Sequence, residues 1–361
     1  MDVLARRMLD RFKKAKTDRV MFESLFEECF EYALPMRQSF FHESPGQRRD
    51  DKIFDETAVV GTQEFASRLQ SGLVPNFARW ADFIAGSEIP KEEEDAVNNS
   101  LDEVTEYVFE IIQNSNFGQE VHESFMDLAV GTGILLVEEG DAINPVRFNA
   151  IPLPSVYLDT GADDKIDHVY RQRTLKYSDL PVAYPKAVFQ ERTAKAIVSQ
   201  PDSKVQLVEI VCRNYEKVNE DKFDFYVINI PEEEMIAQEQ FTGVGSNPYV
   251  CFRWSKASGE IYGRGPLINA LSAIKTTNLT IELVLENAQM AISGIYQMDD
   301  DGIINTDTIN LVPGTIIPKA MGSQGLQPIR NAGNFDVAQI VLGDMRNNIK
   351  RALYNDMLGD P

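Results

Sequence analysis

Cysteine is scarce in this chain: Cys29, Cys212 and Cys251 are the only three in 361 residues, far apart and without CxxC spacing. An odd, dispersed set builds neither a disulfide framework nor a zinc site, and a reducing compartment is expected. Histidine is as rare. His42, His122 and His168 stand alone, outside any HxxxH or HExxH arrangement, and are read as surface or half-buried side chains. Positive charge is short as well, with 35 Lys and Arg against 56 Asp and Glu, a net charge of −21. That excludes a conventional duplex-binding module, whose phosphate contacts need a clustered basic face. It leaves room for DNA as a passing partner, because a wall along which DNA slides works better with weak repulsion than with grip. No apolar run approaches the ~20 residues that span a bilayer, and the chain starts polar, so neither a membrane span nor a secretory leader is expected.

What is present is an ordinary globular composition, 43% hydrophobic and 25% charged, with length for two or three domains. The most telling stretch runs from Trp254 through Gly263-Arg264-Gly265-Pro266 into residues with almost no helix breaker. The glycines permit a tight, backbone-close turn, and Pro266 suits a first helical residue with no need of an N–H. Apolar positions then follow at Leu267, Leu271, Ile274, Ile281, Leu285, Ala288 and Ile292, with one polar break at Asn278. Leu279, Leu283, Val284 and Met290 lie off that stripe, so more than one face is expected to be covered, either by a monomer core or by neighbouring subunits.

Elsewhere, residues 1 to 34 read as an amphipathic helix rich in cations (Arg6, Arg7, Arg11, Lys13, Lys14, Lys16, Arg19). Asp55 or Thr57 can cap a helix running toward Leu73, and Ser100 with Glu103 forms a capping box expected to open the next one. Gly131-Thr132-Gly133 precedes the strand Ile134 to Glu138, which makes it a turn rather than a phosphate loop. Strands are expected around 156–158 and 166–170, then a proline-punctuated helix over 177–198. Residues 204 to 254 read as four strands forming a separately protruding β unit. Asp299-Asp300-Asp301-Gly302 lacks the alternating oxygens of a calcium loop. Residues 313 to 334 are rich in Gly and Pro, and a last helix is expected over 337–358.

Three blocks carry a resemblance to a known family. They are Phe54-Asp55-Glu56-Thr57-Ala58 followed by Leu73-Val74-Pro75 and Trp80, then Gly131-Thr132-Gly133-Ile134-Leu135-Leu136-Val137-Glu138, then Arg253-Trp254 with Gly259-Glu260-Ile261-Tyr262-Gly263-Arg264-Gly265-Pro266. In this order they resemble the head-to-tail connector, or portal, proteins of short-tailed (T7-like) bacteriophages. The resemblance runs from about residue 50 to the end.

The resemblance implies an α+β fold with a wing, a two-helix stem and an inserted small β-rich clip. On it, 1–175 is the wing, 176–203 the first stem helix, 204–255 the clip, 256–294 the second stem helix, and 295–361 a post-stem loop and wing helix. The family's further wing and crown helices lie beyond the point matching Asp356-Met357-Leu358, so the chain is expected to be truncated before the crown, a fragment or a shortened relative. The implied function is a ring of about twelve copies at a capsid vertex, with no catalysis and no cofactor or metal. Its implied partners are further copies of itself, a terminase motor, a tail adaptor, capsid and scaffolding proteins, and duplex DNA passing through; no membrane is involved. The expected location is the virion, after assembly in the host cytoplasm. Lys319 and Arg330, with Lys275, are the tunnel candidates, and Leu271, Ile274, Ile281 and Leu285 the subunit-interface candidates. Two alternatives stay open at this point: an intracellular two-domain α/β enzyme using Gly131 to Gly133 and Asp163 with Asp164, and another phage head–tail adaptor.

Overall fold

The computed structural model describes residues 3–41, 51–161, 163–215, 221–293, 296–297, 327–328 and 335–355. Helices α1 (Val3–Ala33), α2 (Thr57–Leu73), α3 (Lys91–Asn114) and α4 (Phe117–Val130) come first, followed by strands β1 (Thr132–Glu139), β2 (Val146–Ala150), β3 (Val156–Thr160) and β4 (Ile166–Lys176). Two short helices follow, α5 (Leu180–Ala183) and α6 (Glu191–Ser199), then strands β5 (Lys204–Arg213), β6 (Lys222–Asn229), β7 (Glu234–Thr242) and β8 (Tyr249–Arg253). The long α7 (Pro266–Ser293), the two-residue strands β9 (Tyr296–Gln297) and β10 (Gln327–Pro328), and α8 (Phe335–Ala352) complete the chain.

Strands β3 to β7 form one five-stranded antiparallel sheet in sequence order, while β8 leaves it to pair with β1 in the order β2-β1-β8. This corrects the expectation of a separate module over 204–254. The physical reason lies in β5, which is apolar on both faces. Val208, Ile210 and Cys212 face the first half of α1, and Leu207 and Val211 face the opposite side. A strand buried on both sides must sit inside a covered sheet and not in a free-standing excursion. The helix expected over 176–203 is also corrected. Pro181 opens the single turn of α5, Pro185 ends it, and only Glu191–Ser199 returns to helix. Glu234 of β7 holds α6 in place, accepting from Gln190 N at 2.5 Å and from the Thr193 hydroxyl.

Two features fix the body around this sheet. On one face, Ala5, Met8, Leu9, Phe12 and Ala15 of α1 cover Tyr157, Tyr170 and Tyr226, and the Phe12 ring meets Tyr157 edge-on at 5.3 Å. Arg19, expected among the solvated cations, is instead 1% exposed. It donates to the carbonyls of Leu153, Pro154 and Val156 at 3.1, 2.9 and 2.7 Å, pairs with Glu23 at 2.8 Å and lies 3.7 Å from the Tyr157 ring centre. On the other face, buried Glu209 joins the two sheets. It binds Arg173 and the Tyr184 hydroxyl at 2.6 Å each, and Arg171 and the Tyr249 hydroxyl of β8 at 3.4 Å each.

Helix α3 begins nine residues before the Ser100 capping box, behind Pro90 and with Glu92, Glu93 and Glu94 in its first turn. Carboxylates there offset the helix dipole, and Ser100 bonds back to the Ala96 carbonyl at 3.2 Å as a mid-helix serine.

Candidate assembly surface

Helix α7 is the long element whose surroundings change along its length. Its start is set by a backbone crossing between the two glycine-bearing turns. Gly265 N donates to Val130 O at 2.9 Å, Gly263 N to the Thr132 hydroxyl at 2.9 Å, and Trp254 N to Gly131 O at 3.0 Å. A Cβ on Gly131 would lie 2.1 Å from Gly263 O, and one on Gly265 would lie 2.2 Å from Ala129 O. Both turns need glycine because two main chains touch here. The same contact fills the space that a phosphate would require at Gly131 to Gly133.

From this seat the first half of α7 runs through the core. Leu267, Ala270, Leu271 and Ile274 are buried with Tyr262, Phe26, Phe65, Ile349 of α8 and Leu353 just after it. Leu271 and Ile274 are therefore corrected as interface candidates, since this chain's own side chains already cover them. The polar break at Asn278 has a structural role. Its side chain donates to Ile274 O at 3.0 Å and accepts from Phe54 N at 2.8 Å and Asp55 N at 3.0 Å. Asp55 in turn receives Arg346 of α8 at 2.7 Å. Burial pushes the Asp55 carboxyl up, but the Thr57 bonds and Arg346 outweigh it and hold it below the usual aspartate value. One buried junction thus ties α7, α8 and the entry to α2 together.

Beyond Asn278 the environment opens. Leu279, Leu283 and Leu285 are 55%, 49% and 53% exposed, and Ile340 and Val341 of α8 are 68% and 41% exposed. Ile281 is half-buried. The two helices run antiparallel, because the end of α8 meets the start of α7 while β9 and β10 pair antiparallel beyond their other ends.

Lys319 and Arg330 lie outside the described residues. Lys275 is engaged within the chain, 3.0 Å from Glu28 of α1, whose carboxylate raises its pKa. Asp163 and Asp164 occupy the exposed turn between β3 and β4, with Asp164 3.5 Å from Lys256 and φ of 57°. A groove of about 960 Å³ runs between Gln70, Trp80, Phe109 and Phe117, where His122 Nδ1 sits 3.2 Å from Gln70 Oε1. Among the described residues no group of three or more His, Cys, Asp or Glu side chains could hold a metal ion, and no helix is long and apolar enough to cross a membrane. Sequence reasoning missed the Arg19 and Glu209 clusters, because a buried charge looks like a surface one until its partners, far away in sequence, are known.

Comparison with known proteins gives three findings. The sequence profile described as "Bacteriophage head to tail connecting protein" matches residues 5–361. The probable portal protein of Bordetella phage BPP-1 is 22% identical, over 97% of this chain and 64% of that protein's length. A chain from the virion of a native gene transfer agent particle aligns with a TM-score of 0.36 and 10% identity, covering 68% of this chain and 58% of that one.

Proposed function

This chain belongs to the family of bacteriophage head-to-tail connecting proteins, and from that premise we propose that it assembles head to tail into a ring of about twelve copies at a capsid vertex. The ring is a structural conduit for DNA entering and leaving the head. Its partners on this reading are a terminase motor, a tail adaptor, and capsid and scaffolding proteins. The observation that carries the reading is the split character of α7, buried up to Asn278 and exposing Leu279, Leu283 and Leu285 beyond it. Leu279 and Leu283 lie on one side of the helix and Leu285 on the other, and exposed leucines on two sides of one helix are what an assembly with a neighbour on each side covers.

The two-helix stem is best placed in the α7–α8 pair, and the clip in the sequence stretch from Gln297 to Gln327 that joins them. Residues 176–203 and 204–255 then belong to the body of the subunit. Lys319, within that sequence stretch, and Arg330, just after it, stay proposed as tunnel cations. With a net charge of −21 on every copy the ring meets DNA through few phosphates, so duplex binding should be weak and should vanish with modest salt. Electron microscopy and mass photometry of the purified chain test the assembly: closed rings with a central hole support it, and a globular monomer at all concentrations overturns it. Rings carrying Lys319→Ala with Arg330→Ala should form normally yet package DNA poorly. Normal packaging removes these two residues from the conduit.

A further inference from the structure

Helix α1 is divided by charge. In its first half, Arg6, Arg7, Arg11, Lys13, Lys14 and Lys16 are exposed, and their sole ion pair among the described residues is Lys13 with Asp10 at 3.7 Å. Beyond Arg19 the carboxylates are all used inside the chain. Glu23 pairs with Arg19 at 2.8 Å, Glu27 accepts from Ser39 and Phe40 N at 2.8 Å each, Glu28 pairs with Lys275 at 3.0 Å, and Glu31 with Lys52 at 2.5 Å. Cations near a helix start oppose its dipole, and Arg7 with Arg11 is a like-charge i,i+4 pair. The helix would be more stable without this arrangement.

Helix α3 is the mirror case. Only Thr105 and Phe109 of its residues are buried. Its exposed side carries four consecutive carboxylates from Glu92 to Asp95, then Glu103, Glu106 and Glu110, none of them ion-paired among the described residues. The first group suits a helix start, but Glu103, Glu106 and Glu110 repel one another at i,i+3 and i,i+4 spacing. Val104 and Tyr107 on the same stretch are 50% and 65% exposed, as Val20 and Met21 are 57% and 87% exposed on α1. The chain thus presents two oppositely charged helix faces whose few counter-charges, Asp10 and Asp18 on α1 and Lys91 and Arg79 at α3, leave most of the charge unmatched.

We propose that the basic first half of α1 docks on the acidic face of α3 of a second copy of this chain. The contact rests on the assembly reading above and gives it a specific interface. Head-to-tail closure joins one face of each copy to a different face of the next, so a contact of α1 with α3 would match both faces in every copy. A nucleic acid on α1 would satisfy only one of them. Such a contact sets pairing and association rate and weakens with salt.

The test uses two charge-reversed full chains, R7E/K14E and E103K/E106K, followed by sedimentation velocity and circular dichroism. Each alone brings like charges together and should keep its fold while assembling about tenfold or more weakly than the wild type. Mixed in equal amounts, they can alternate around a ring with every contact matched, and assembly should recover. If each variant assembles as the wild type does, or the mixture fails to recover, the contact is wrong. Assembly that is unaffected in R7E/K14E while binding of a 40-base-pair duplex is lost would overturn it in favour of nucleic acid. A wild type that stays monomeric at every concentration overturns both the ring and the contact.

Discussion

The two halves of α7 share one helix and a similar apolar content, yet the half before Asn278 is core and the half after it is surface. The first half is enclosed on three sides by α1, α4 and α8, and its start is clamped where Gly263 and Gly265 touch the end of α4. The second half has α8 alongside and leaves Leu279, Leu283 and Leu285 in solvent. Apolar composition alone therefore does not say whether a helix face belongs to folding or to assembly. What separates them is whether the rest of the same chain can reach it.

Matched substitutions give the largest expected effect and break the comparison most directly. Ile274→Asp puts a carboxylate at a site 1% exposed with no cation designed to receive it. It should cost more than about 4 kcal/mol and leave no cooperatively folded protein. Leu285→Asp, at 53% exposure, should change stability by about 0.5 kcal/mol or less while reducing assembly. Thermal melts by circular dichroism and sedimentation velocity on both variants decide it. Equal unfolding by the two would mean that α7 is one continuous core helix.

Much of this organisation was legible in the sequence. Pro266 does open α7, the helices before residue 74 and the strands from 156 to 253 fall close to the expected positions, and Gly131 to Gly133 is a turn. These features rest on local signals: a φ restriction, a period of two, a backbone approach. The misplaced parts depended on partners distant in sequence. Nothing in Tyr249–Arg253 says that it will pair with Thr132–Leu136 instead of β7, and that register is made possible by Gly133, where a Cβ would sit 2.4 Å from the Phe252 ring. The charged surfaces were half read. The cations of α1 were visible in sequence, but that Arg19 turns inward while Lys14 stays outside follows from the carbonyls of Leu153 to Val156.

The boundary between the halves is itself testable, with a smaller expected effect. Asn278→Ala removes the acceptor of Phe54 N and Asp55 N and leaves those N–H groups unmatched beside a buried carboxylate. The cost should be about 2–3 kcal/mol. Because Asp55 also receives Arg346, hydrogen exchange should rise in α8 and at the start of α2, while the sheet around Val208 keeps its protection. A loss spread evenly over the protein would show that Asn278 is not a local joint.

The smallest expected effect comes from pH and probes the seat of the buried half alone. Asp127 lies one turn before the end of α4, the same end that receives Gly265. Burial raises its carboxyl from the model-compound value of 3.8 to about 6, against the opposing pull of Arg37 at 3.1 Å and the Leu153 N–H at 3.3 Å. A carboxyl with a raised pKa binds more protons folded than unfolded. Its contribution is therefore complete below the unfolded value and is lost as pH rises through the folded one. Between pH 5 and pH 8 the wild type should lose about 1 kcal/mol relative to Asp127→Asn. The comparison with Asp127→Asn removes the contribution of every other titrating group common to both proteins. Chemical denaturation at the two pH values measures this difference, and parallel pH profiles would mean that Asp127 is ionised in both states. Assembly at fixed pH should be the same in the two proteins, because Asp127 supports the half of α7 that this chain's own side chains cover.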